Sequence, residues 1–128
     1  MTTKVLISIS GFFPAKNFGG PAISINNMTK TLSKKYEFFI VTGNTDLNST
    51  KVLNGITSGW NKRNNCKVKY LDRNSLTYQK FEEIVEEIAP DIIYINSFFG
   101  VKFSEPLLKI GIKLGLPILL APRGEMCD

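Results

Sequence analysis

Residues 4–32 read KVLISISGFFPAKNFGGPAISINNMTKTL. Residues 4–10 predict a strand, with residues 5–9 apolar at nearly every step. A glycine-containing loop follows and closes with Gly19-Gly20-Pro21. Ile25, Met28 and Leu32 then recur at the spacing of one helix face. A helix start leaves backbone N–H groups unpaired and carries the positive end of the helix dipole. Such a strand–glycine–helix passage is therefore a ready anion site, and it points to phosphorylated or nucleotide ligands.

Working outward, residues 38–41, 92–95 and 118–121 are also apolar without alternation. Continuous hydrophobicity predicts strands covered on both faces, as in a parallel sheet between helices. Residues 67–71 alternate polar and apolar, which predicts a more exposed strand at a sheet edge. Helices are expected over residues 21–35, 75–89 and from 104 or 105 to 114. Pro21 and Pro106 suit first turns, Ser75 is a plausible N-cap, and Gly115 is a natural stop. Tyr78, Phe81, Ile84, Val85 and Ile88 form the inward stripe of the second helix, which Pro90 ends.

This order predicts a doubly wound α/β domain: a mostly parallel sheet of about five strands with helices on both faces. Right-handed crossovers give the Rossmann-like order 3-2-1-4-5. Residues 44–65 fall outside that scheme. They are rich in Asn, Ser, Thr and Gly, contain Trp60 beside Lys62 and Arg63, and read as a long loop, either functional or a plain surface excursion.

At 128 residues the chain holds one domain with a real core. Its 43% hydrophobic and 21% charged content excludes large-scale disorder. A net charge of +5 and a pI near 9.3 suit an anionic partner or simply a solvated lysine-rich surface. No histidine is present, which removes Ser-His-Asp and Cys-His catalysis and histidine-ligated metals. Cys66 and Cys127 make neither a disulfide scaffold nor a metal site, so reduced thiols in a cytoplasmic protein are expected. Met1-Thr2-Thr3-Lys4 leads directly into the first strand without the long apolar core of a signal peptide, and no apolar run approaches the roughly 18 residues that span a bilayer.

The strand at 118–121 reads as buried on both faces although the chain stops at Asp128. The expectation is an amino-terminal part of something longer, or a short protein that self-associates through that fifth-strand edge.

Ligands of doubly wound sheets lie beyond the carboxyl ends of the strands, near the reversal in strand order. Here that falls between the first and fourth strands. Gly19 and Gly20 offer backbone donors there, though their spacing matches neither G-x-G-x-x-G nor a Walker loop, and a simple turn competes. Asn96 and Ser97 suit sugar hydroxyls or phosphate, or a capping role. Phe98 and Phe99 offer ring faces to a substrate or to the core. Arg123 suits an anionic group, and Glu125 an acceptor hydroxyl or a base role, with a mutual salt bridge as the alternative.

Together these motifs resemble the amino-terminal domain of a family 4 glycosyltransferase of the two-domain GT-B fold. The resemblance rests on residues 5–10 with Phe13-Pro14, on Gly19-Gly20-Pro21-Ala22 and its helix, on residues 90–99, and on Ala121-Pro122-Arg123-Gly124-Glu125-Met126. It covers most of the chain and is weakest over residues 44–65.

The resemblance implies a retaining transfer of a sugar from a nucleotide-sugar to a hydroxyl acceptor, in polysaccharide or glycolipid synthesis. It implies no cofactor, and usually no metal. Gly19 and Gly20 would contact the donor diphosphate, while Asn96, Ser97, Arg123 and Glu125 would lie on the acceptor side. The catalytic residues stay unassigned. Many relatives carry histidines where this chain has Tyr94 and Asn96, so the leaving phosphate would take the acceptor proton. The carboxyl-terminal donor domain is not in this chain, so the isolated polypeptide is expected to be inactive.

A saccharide or lipid-linked acceptor and no nucleic acid are the expected partners. Peripheral contact with the inner face of the membrane would use Lys16, Lys30, Lys34, Lys35, Lys62, Arg63, Lys67 and Lys69. A non-catalytic α/β binding or assembly module is the rival reading. A receiver-type domain ranks lower, because no acidic cluster follows the first strand.

Overall fold

The stretch that opens the chain folds as β1 (Thr3–Ser8) and, after the glycine pair, α1 (Gly20–Leu32). The computed structural model describes residues 2–15, 20–46, 49–63, 65–96 and 101–120, with the backbone alone at 101–103. The remaining described elements are β2 (Tyr36–Gly43), β3 (Trp60–Arg63), β4 (Cys66–Leu71), α2 (Tyr78–Ile88), β5 (Ile92–Ile95), α3 (Val101–Leu114) and β6 (Ile118–Leu120).

They build one sheet in the order β3-β4-β2-β1-β5-β6. Every pairing is parallel except that of β3 with β4. The five expected strands stand in the expected order, and the domain is α/β and Rossmann-like.

Strand alternation sends successive side chains to opposite faces. Leu6, Phe39, Val41, Ile93 and Ile95 meet Phe81, Ile84, Leu107 and Ile110 from α2 and α3. Val5, Ile7, Phe38, Ile40 and Val68 meet Ala22 and Ile25 from α1 on the other face. The continuous apolar runs of β1 and β2 are thus covered on both sides.

Several expectations need correction. The alternating strand β4 is not at the edge, because β3 pairs outside it. Residues 44–65 are therefore not one loop. Trp60 packs edge-to-face on Phe39 at 5.5 Å, and its indole N–H donates to Glu87 Oε2 at 3.2 Å. The Asn61 side chain donates to the Val68 carbonyl at 3.2 Å. These tertiary contacts hold a polar four-residue segment in the sheet. Arg63 pairs with Cys66 antiparallel at the end of this ladder.

The second helix starts later than expected. Asp72 caps a 3-10 turn at Arg73–Ser75, its Oδ1 accepting from the Ser75 N–H at 2.9 Å. Thr77 then serves as N-cap, accepting from the Lys80 N–H at 3.2 Å. Tyr78 consequently faces solvent rather than the core.

The third helix starts earlier, so Pro106 lies in its second turn and removes one internal hydrogen bond. Inside the same helix, a Cβ on Gly111 would sit 2.7 Å from Ile118 Cδ1, so the glycine permits the close approach of α3 to β6.

The last strand is, as expected, an apolar one left at an edge: among the described residues β6 pairs only with β5, and Leu119 and Leu120 are 53% and 43% exposed.

The expected basic surface is divided. Alternation puts Lys67 and Lys69 on the α2 side, over the Phe39 and Trp60 rings at 5.7 and 5.5 Å, and Arg63 on the α1 side over Phe13 at 5.9 Å. Lys69 also approaches Glu87 at 3.9 Å. Lys16 lies outside the described residues.

At the end of α2, Ala89 adopts φ 52°, a left-handed conformation that its Cβ disfavours. Its N–H donates to the Val85 carbonyl at 2.7 Å, so the helix cap depends on this geometry. Ala89→Gly is expected to raise stability by about 0.5–1 kcal/mol, since relief of strain exceeds the extra entropy of the unfolded glycine. Thermal melts of the two proteins test this, and an unchanged or lower midpoint refutes it.

Candidate functional site

The chain leaves β1 for β2 on one side and returns to β5 on the other, so the reversal in strand order lies between β1 and β5. Three polar side chains finish these strands: Ser8 on β1, Thr42 on β2, and Asn96 immediately after β5. All three are buried, Thr42 and Asn96 completely.

The hydroxyls of Ser8 and Thr42 and both polar atoms of the Asn96 amide have no hydrogen-bond partner among the described residues. Leaving one such group unpaired costs about 1–3 kcal/mol. The clustering of several at the carboxyl ends of adjacent strands is where ligand chemistry is placed in this fold.

Register fixes their relation. Ser8 lies opposite Val41 and Ile95, so Thr42 and Asn96 both stand one residue further along, flanking Ile9. The Asn96 N–H donates to the Ser8 carbonyl at 3.1 Å, and the Ile9 N–H to the Val41 carbonyl at 3.2 Å. The ladder therefore continues through this row. Thr42 and Asn96 turn to the α1 face, and Ser8 to the opposite one.

Gly20 opens α1 and is exposed, with no atom within 4 Å of where a Cβ would lie. The protein's own packing does not require a glycine there, and the start of the helix is accessible. Gly19, Ser97, Arg123 and Glu125 lie outside the described residues, as do Phe98 and Phe99. Of the expected site residues, Asn96 and Gly20 are thus placed. Ser8 and Thr42 went unnoticed in the sequence because single hydroxyls inside apolar strands are common.

A cleft of about 760 Å³ opens over the carboxyl ends of β2 and β4. It is lined by the apolar Leu71, Leu76 and Val52 and by the polar Ser10, Asn44, Thr45, Ser49, Thr50 and Asn74, among others. The walls are fastened together. The Asn44 N–H donates to the Leu71 carbonyl at 3.0 Å, the Leu53 N–H to the Asn44 carbonyl at 2.8 Å, and Thr45 bridges to Val52. The available signal was that polar runs directly follow the ends of two expected strands, residues 38–41 and 67–71.

The loop after β1 is anchored from β4 and β3. Tyr70 donates its hydroxyl to the Phe13 carbonyl, Phe12 is buried, and the Phe12 and Phe13 rings meet edge-on at 5.5 Å. Burial pushes the Tyr70 phenol above its usual range, while the charge and hydrogen bond of Arg63 oppose this. Burial likewise pushes the Cys66 thiol up to about 11, again opposed by Arg63.

Both groups are acids that bind protons more tightly in the folded state. As pH rises past 9.0, the unfolded thiol ionises while the folded one stays protonated, so stability falls. Urea midpoints are expected to decline from pH 9 to about 11. Cys66→Ala should flatten that decline, and an unchanged slope would contradict the assignment. At neutral pH the buried thiol should resist alkylation.

Among the described residues no group of three or more Cys, Asp or Glu side chains is placed to hold a metal ion, and no helix is long and apolar enough to cross a membrane. No family model matches the chain, and no curated protein matches it at a significant level.

Proposed function

We propose that this domain is the acceptor-side half of a retaining glycosyltransferase, which moves a sugar from a nucleotide-sugar to a hydroxyl acceptor. The observation that carries the reading is the pair of buried, unpartnered polar side chains, Thr42 and Asn96, that share the α1 face of the sheet, together with an accessible helix start at Gly20. A saccharide offers many hydroxyls that both donate and accept, which suits an amide and a hydroxyl. The start of α1 offers N–H donors to a diphosphate.

In this reading a second α/β domain delivers the nucleotide-sugar across the carboxyl edge of the sheet. The acceptor oxygen forms the new bond to the anomeric carbon as the bond from that carbon to the phosphate oxygen breaks. The leaving phosphate takes the acceptor proton, which needs no protein base and so accommodates a chain without histidine. Gly19 and Gly20 hold the diphosphate. Asn96, Ser97, Arg123 and Glu125 hold the acceptor.

Transfer assays test the proposal. The 128 residues alone, given a panel of UDP-, GDP- and ADP-sugars, are expected to produce no glycoside. Joined to a second α/β domain that binds the nucleotide-sugar, they should form a product of retained anomeric configuration, read by proton NMR. Turnover by the chain alone, or none from the two-domain form, defeats the reading. The second outcome favours a non-catalytic binding module.

The proposal includes cytoplasmic action with peripheral contact to anionic lipid. Lys30, Lys34 and Lys35 are exposed where α1 ends and β2 begins, at the end of the sheet opposite Ser8, Thr42 and Asn96. Sedimentation with vesicles should then depend on their anionic lipid content, and indifference to lipid charge removes this element.

A further inference from the structure

The cleft over β2 and β4 lies on the far side of β1 from the reversal in strand order, and nothing above gives it an occupant. We infer that it is a binding site for a neutral saccharide, separate from the anion-accepting start of α1.

Size comes first. About 760 Å³ lies inside the range of roughly 300–1,000 Å³ that small-molecule sites occupy. Surface chemistry is the second argument. A pyranose ring presents an apolar C–H face and a rim of hydroxyls. The cleft presents both kinds of surface, with Val52, Leu71 and Leu76 alongside hydroxyl and amide groups such as Thr45, Thr50 and Asn74. Val52 is 56% exposed, an apolar side chain open to solvent within a concave, partly polar site.

Charge decides between ligand classes. Two carboxylates, Asp46 and Asp72, and one guanidinium, Arg73, line the cleft. The described lining thus has no excess of cationic side chains with which to pair a diphosphate. It suits neutral hydroxyls, for which the amide and hydroxyl side chains of the cleft are good hydrogen-bond partners. The walls are already tied by the Asn44–Leu71 and Leu53–Asn44 backbone bonds, so binding orders little of the protein.

The inference deepens the proposed function by giving an extended saccharide acceptor a second subsite, beyond the one at Asn96. It rests on that reading for the site's role, but not for the binding itself.

Backbone amide shifts of the isotope-labelled chain test it, titrated separately with maltose, cellobiose, lactose and UDP. At least one disaccharide should shift the amides of Asn44, Thr45, Thr50 and Asn74 in a saturable way, and UDP should not. Val52→Lys replaces an exposed apolar side chain of the cleft wall by a charged one. It should weaken that binding at least about tenfold while the spectrum stays dispersed. Asn74→Ala should weaken it less.

Three results overturn the inference: no shift with any disaccharide, the same amides shifted by UDP, or full affinity in Val52→Lys. Its failure is separable from that of the transferase reading. Saccharide bound in the cleft without transfer by the two-domain form removes the transferase and keeps the cleft. Transfer with the saccharide shifting Ile9 and Asn96 instead does the reverse.

Discussion

Replacing Phe81 by alanine is expected to remove about 3–5 kcal/mol of stability. The ring is fully buried on the inner face of α2, in the cluster that joins Leu6, Ile93 and Ile95 of the sheet to Leu107 and Ile110 of α3. Truncation there loses both the transfer energy of the ring and the contacts around the cavity left behind.

A domain of this kind holds only about 5–15 kcal/mol in total, so the variant should be close to unfolded in mild urea. Tyr78→Ala is the control. Tyr78 stands one turn earlier on the same periodic stripe but is 38% exposed, and its loss should stay within about 0.5 kcal/mol. Urea midpoints at constant slope measure both. Similar losses at the two positions would mean that α2 packs over its whole expected stripe, against the register described above.

Phe81 and Tyr78 also show where sequence reading holds and where it stops. The apolar period placed the helix and four of its five core positions, because burial of one face is what the period encodes. It misplaced Tyr78 because Ser75 and Thr77 are both competent caps. Which one begins the helix depends on Asp72 claiming the Ser75 N–H.

Likewise the runs in β1, β2 and β5 gave the parallel sheet and its order. β3 was invisible, because Trp60-Asn61-Lys62-Arg63 has little strand character of its own. Its place comes from Phe39 and Glu87, both distant in the chain. Asn96 could be suspected from its position after an apolar run, yet only the folded sheet shows its amide without a partner and aligned with Thr42. The cleft needed more still, since its walls come from separate loops after β2 and β4.

Asn96→Leu is expected to stabilise the domain by about 1–3 kcal/mol, the cost of burying an unpaired amide. Leucine shares the γ-branched shape of asparagine, and the residue beside it in the strand ladder, Ile9, is apolar. Overpacking could cost about 1–3 kcal/mol if the site had no room, but matched branching keeps that term small. The backbone bond from Asn96 to the Ser8 carbonyl involves no side-chain atom and survives the change.

Relief of the unpaired amide should therefore win, raising the melting midpoint by roughly 3–6 °C per kcal/mol. Stability lost by more than about 1 kcal/mol would show that the amide is satisfied in the native protein, and would remove the observation on which the proposed function rests. In the two-domain form, the same substitution should abolish transfer, because leucine can neither donate nor accept at the acceptor. A gain in stability together with a loss of activity is what a group kept polar for its ligand produces. A gain without any loss of activity would leave Asn96 a tolerated defect of the core and shift the acceptor site away from the β1–β5 boundary.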